Sequence, residues 1–150
     1  MKGLSFTILI SLLILGSGCL DEPDCVSSAT NFANVTFYKL DTAVVDTVDI
    51  NSLTAAGSDS VLISDQDNVS TFKLPLNREA TSSLFTFDIK NVGIKTLTLT
   101  YQVNQRLISE DCGVEIIISD LGYSQSGFDS IRVLNTILVE EIDEDIRIFN

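Results

Sequence analysis

A chain of 150 residues with 9 basic and 21 acidic side chains, no histidine and a net charge of −12 has room for one domain, not two comfortable ones. Its negative surface repels nucleic acid and anionic lipid heads, which argues against a phosphate-binding role. Without histidine it lacks the commonest general base and metal ligand at neutral pH. Nothing in it calls for a cofactor.

The chain opens with Met1-Lys2 and an apolar run from Leu4 to Leu15. Twelve residues are too few to span a bilayer core, which needs roughly 20. They match the charged and apolar regions of a secretory signal, followed by small residues where a peptidase cuts. The stretch Gly16-Ser17-Gly18-Cys19 resembles the lipobox of bacterial lipoproteins, with Gly16 where that family prefers leucine. The resemblance implies that residues 1–18 are removed and that Cys19 becomes a diacylglycerol-modified first residue. Several acyl chains then hold the protein stably on a membrane. An ordinary signal peptide, with Cys19 an incidental thiol, is the alternative. Asp21, Glu22 and Asp24 follow, and acids at this place resemble the surface-export signal of Bacteroidota lipoproteins; a solvated acidic spacer reads equally well. Residues 19–31 are thus a lipidated linker, and residues 32–150 the domain. The expected location is the outer membrane, on its periplasmic side or at the cell surface.

With Cys19 lipidated, Cys25 and Cys112 remain as an even pair. Export to an oxidising compartment makes a disulfide their expected state, with two free thiols as the alternative. Closing a loop of about 88 residues stabilises a fold by about 4–5 kcal/mol in the chain-entropy model.

From residue 32 on, nearly every segment has a two-residue apolar period rich in β-branched and aromatic residues. Strands are expected at Val35–Lys39, Ala43–Asn51, Ser60–Ile63 and Val69–Leu74. In LFTFDIK, Phe85, Phe87 and Ile89 share one face; in KTLTLTYQV, Leu97, Leu99, Tyr101 and Val103 do; in CGVEIII, Cys112, Val114, Ile116 and Ile118 fall in phase and should point inward. Further strands are expected at Ile131–Glu140 and Ile146–Phe149, with turn residues between. Eight or nine strands at this spacing predict an all-β fold, a single antiparallel, immunoglobulin-like β-sandwich. A closed β-barrel is the alternative.

Chemistry is sparse along the chain. Asp65, Asp67 and Asn68 begin like a calcium loop, but Val69 stands where the next oxygen ligand belongs. Glu140, Glu141, Asp143, Glu144 and Asp145 fall at an expected turn and read as a solvated tip. Carboxylate pairs such as Glu110 and Asp111 are common by chance among 21 acids, so no catalytic residue is assigned and the protein reads as a non-enzyme. A glycan platform needs exposed aromatics; there is no tryptophan, and only Tyr123 looks free. Four Asp-Ser/Thr-apolar triplets place hydroxyls at Thr42, Thr47, Ser60 and Ser130. They resemble the O-glycosylation acceptor motif of exported Bacteroidota proteins.

The order of features, with Leu74-Pro75-Leu76-Asn77 and Cys112-Gly113 the most specific, resembles a family of short Bacteroidota lipoproteins classed only as a domain of unknown function. That resemblance implies an envelope lipoprotein with a β-rich fold, and it brings no catalytic residues. Pro75 should sit at an edge or strand end, since proline cannot donate to a central ladder. The expected function is a lipid-anchored binding or assembly module whose partners are the membrane, through the N-terminal lipid, and another envelope protein. A glycan- or calcium-binding surface lipoprotein is the alternative.

Overall fold

The computed structural model describes residues 25–150. Its nine strands are β1 (Phe32–Tyr38), β2 (Val48–Ala55), β3 (Val61–Val69), β4 (Thr71–Pro75), β5 (Ser82–Ile89), β6 (Gly93–Ser109), β7 (Gly113–Ser126), β8 (Ser130–Val133) and β9 (Ile146–Phe149). They form a four-stranded sheet in the order β4-β1-β9-β8 and a five-stranded sheet in the order β3-β2-β5-β6-β7. The fold is the expected all-β, two-sheet sandwich and not a closed barrel. All strand pairs are antiparallel except β1 with β9, which sets the first and last strands side by side in parallel.

Alternation builds the core as expected along most strands. Phe85, Phe87 and Ile89 of β5 and Leu97, Leu99 and Tyr101 of β6 are buried, facing Val35, Phe37, Ile146 and Ile148 of the other sheet. Phe37, Phe72, Phe87 and Phe128 link the two layers as a chain of rings with centroids 5.2–6.1 Å apart. Such pairs add about 0.5–1.5 kcal/mol each beyond their buried area. The Tyr101 hydroxyl, buried with its ring, donates to the Asn77 carbonyl at 2.9 Å. Pro75 ends β4, an edge strand, where its missing N–H costs nothing.

Several strand limits differ from expectation. A turn at residues 40–42, followed by Ala43 at a φ of 51° and a single bridge from Val45 back to Tyr38, takes up the first part of the expected strand, so β2 starts later and runs on to Ala55. The polar run Ser64–Asn68 looks like a loop in sequence but is strand, because β3 lies at an exposed edge where nothing requires apolar residues. Asn68, at positive φ, falls in an irregularity of its pairing with β2; Asp65 also takes a positive φ. The predicted Ile131–Glu140 strand stops at Val133. There the Leu134 and Asn135 N–H groups both donate to the Asp145 carbonyl, and the chain turns toward the edge of β7.

Candidate docking site

β5 pairs with β6 only as far as Ser82↔Thr100, with the Tyr101 N–H donating to the Thr81 carbonyl at 3.0 Å. Beyond Tyr101, β6 has β7 as its one strand neighbour among the described residues, and the two continue as a ribbon to the turn between Ser109 and Gly113. Gly113 closes that turn at a φ of 74°, a conformation glycine adopts without steric cost.

The register puts Val103↔Ile118, Gln105↔Ile116 and Leu107↔Val114 on one face of the ribbon, and Asn104↔Ile117 and Arg106↔Glu115 on the other. Val103 and Ile118 still reach the core. Past them no opposing layer among the described residues covers the ribbon: Leu107 and Val114 are each 61% exposed and Ile116 38%. This corrects the inward placement expected of Val114 and Ile116. Their phase is the core phase, but the sandwich ends before it reaches them.

The opposite face is covered by residues 25–29, which lead into β1. Cys25 and Cys112 form the expected disulfide, their Cα atoms 5.4 Å apart. The Ser27 hydroxyl donates to Glu115 Oε2, and the Ser28 carbonyl accepts the Glu140 N–H at 2.9 Å. Ala29 bridges to Val139. Arg106 Nε donates to Glu115 Oε1 at 2.6 Å, and a second guanidinium nitrogen closes the ion pair. Glu115 is left 8% exposed. The Ser27 hydrogen bond and then Arg106 hold its carboxyl below the usual range.

The two edges of the ribbon differ. β7 is lined by the 136–138 segment, through Leu121 N–H to Thr136 O and Leu138 N–H to Ile118 O, both at 3.0 Å. Among the described residues β6 has no such cover. Its Tyr101 N–H points to the β5 side, so by alternation the N–H and C=O groups of Val103, Gln105 and Leu107 point away from β7. Among the described residues they have no backbone partner. A free strand edge flanked by exposed apolar side chains is a template for strand addition.

The other residues singled out in the sequence are dispersed. Cys19, Asp21, Glu22 and Asp24 lie outside the described residues. Thr42, Thr47, Ser60 and Ser130 are all exposed, each in or beside a turn or at a strand start. Among the described residues no three His, Cys, Asp or Glu side chains converge on one point. Asp67 is taken up by Lys90 at 2.6 Å, and the Asp49 carboxylate caps the Asn68 N–H. In the 140–145 segment Glu144 pairs with Arg147 at 2.8 Å, and that guanidinium lies over the Tyr38 ring. Asp145 turns inward, where it is fully buried and accepts the Asn34 N–H at 2.8 Å. Burial pushes its carboxyl up. The segment expected to be a solvated tip therefore includes one carboxylate that ties β1 to the 135–145 crossover. An open groove of about 490 Å³ beside it is lined by Asn34, Thr71, Lys73, Glu140 and Asp143, among others. Tyr123 is 46% exposed on β7.

Sequence reasoning passed over Ser27, Arg106 and Glu115. A signal for the last two exists: they stand at nearly equal distances either side of the Glu110-Asp111-Cys112 turn, as opposite charges paired across a hairpin do. No curated protein and no solved structure matches the chain. A family match runs over residues 47–150, from the residue before β2 to the end of the chain, and takes in Leu74-Pro75-Leu76-Asn77, Cys112-Gly113 and the whole ribbon. The chain belongs to DUF6452, a family of unknown function.

Proposed function

We propose that this protein is a non-enzymatic, lipid-anchored envelope lipoprotein of the outer membrane, acting as a docking module through the β6–β7 ribbon. The observation that carries the reading is the free β6 edge at Val103, Gln105 and Leu107 beside the exposed Leu107, Val114 and Ile116. The disulfide supports it, because Cys25 ties the ribbon's tip to a point six residues from Cys19. Six residues span at most about 20 Å, so an acylated Cys19 keeps the ribbon close to the membrane. The exposed hydroxyls of Thr42, Thr47, Ser60 and Ser130 suit O-glycan acceptors on such a surface. Asp67 and Glu144 are committed to Lys90 and Arg147, which favours docking over calcium binding.

A photo-crosslinking residue placed at Gln105 in the full chain, in growing cells, tests the docking role. Covalent capture of a protein there, and not at Thr98 on the body of the same strand, is the expected result. Equal capture at both positions, or none at either, overturns it. In the same cells Cys19→Ser should move the protein out of the membrane fraction; undiminished retention overturns the lipid anchor.

A further inference from the structure

We infer that the partner at the β6 edge is a second copy of this chain, paired β6 to β6 and antiparallel about a two-fold axis at Gln105. The inference rests on the docking role proposed for the ribbon and names its occupant. Three features of the edge carry it. First, the free groups are self-complementary. Val103, Gln105 and Leu107 alternate evenly along an unbulged stretch of β6, so a two-fold at Gln105 sets Val103 against Leu107 of the second copy, and Gln105 against its equivalent. All the outward N–H and C=O groups of the three residues are then satisfied.

Second, the side chains fit themselves. On the apolar face, the exposed Leu107 of one copy gains Val103 of the other as its direct cross-strand neighbour. On the opposite face, Arg106 meets Asn104, and its charge is already held by Glu115 of its own ribbon. Directly opposed like charges do not arise.

Third, the charge distribution selects this strip. The chain carries 21 acids and a net charge of −12, so two copies repel over most of their surface. Residues 102–108 (QVNQRLI) contain no acid. The pairing must stop where β5 begins, which sets the acidic turn Glu110-Asp111 of each copy beside the 76–81 connection of the other. That connection carries the exposed Arg78 and Glu79 side by side, so it meets the acidic turn with no net charge of its own. Two membrane-anchored copies meet in a plane, which raises their effective concentration further.

Gln105→Cys in the full, membrane-extracted protein is the direct test. Opposed residues of an antiparallel hydrogen-bonded pair have Cα atoms about 5.5 Å apart, within disulfide range. Mild oxidation should give a covalent dimer at twice the chain mass, and Thr98→Cys should not. Gln105→Pro removes only an outward N–H, leaving the β7 ladder intact, and deletes two of the six intermolecular hydrogen bonds. It should weaken self-association, read by co-purification of two differently tagged copies, by about thirtyfold. Should that variant fold poorly, Arg78→Glu, on an exposed loop, should reduce the same co-purification. Absence of the Gln105→Cys dimer, or co-purification that both Gln105→Pro and Arg78→Glu leave unchanged, overturns the second copy as occupant. Capture of a different protein at Gln105 with no homodimer overturns this inference but preserves the docking role; capture of nothing at all sinks both.

Discussion

Leu97, Leu99 and Tyr101 of β6 are buried in the sandwich body, while Leu107, on the same face of the same strand, stands 61% exposed. The two regions have the same alternation, the same strand partner on one side and comparable apolar residues. They differ in what lies across from them. The body has a second sheet and four linked phenylalanine rings; the ribbon has a disulfide, residues 25–29 and an ion pair with a buried carboxylate on its covered face, and, among the described residues, nothing on the other. Alternation therefore assigns a side chain to a face, and only an opposing layer turns that face into a core. The ribbon has a covalent staple where the body has hydrophobic burial.

The largest effect expected from breaking this contrast is loss of the staple. Cys25→Ser with Cys112→Ser should lower stability by about 4–5 kcal/mol, measured by urea unfolding with and without reductant. Equal midpoints for the double variant and the oxidised parent would show that the ribbon does not depend on it. In the body, Phe87→Ala should cost about 3–5 kcal/mol by opening a cavity between the two sheets. On the ribbon's open face, Val114→Ser should stay within about 0.5 kcal/mol. Comparable losses at both positions would mean that the open face is covered in the folded protein.

The smallest effect concerns pH. The Glu115 carboxyl is held low by Ser27 and Arg106. Its contribution is complete above its unfolded pKa of about 4.3 and disappears as pH falls through the lower folded value. Asp145 has the opposite sign: burial raises its pKa, so the folded state takes up that proton first and gains relative stability on acidification. Glu115→Gln should therefore lower the urea midpoint at pH 7 and approach the parent as pH falls through the lowered folded pKa, whereas Asp145 governs the same limb in the parent and the variant alike. A Glu115→Gln deficit that persists undiminished at low pH would assign the residue a packing role in place of an electrostatic one.

The buried faces of β5 and of β6 through Tyr101 were legible because their alternation is strict and both are covered. The exposed edge strand β3 was only partly legible, because its polar stretch Ser64–Asn68 carries no apolar signal to read. The disulfide was legible from the cysteine count together with the export expected of the N-terminal segment. The strap that accompanies it was not, because Ser27, Arg106 and Glu115 are ordinary surface residue types until residues 25–29 cross over them.

Period, turn residues and cysteine count are local or additive properties of a chain, and they suffice for an all-β domain closed by one long-range bond. Which apolar residues stay wet, which carboxylate is buried and which edge is left unpaired depend on where neighbouring elements stop. Val114 and Ile118 have the same place in the pattern; one is exposed and the other buried because the opposing layer ends between them. That boundary is set by packing between segments far apart in sequence, and so the open edge of the ribbon belongs to the tertiary structure alone.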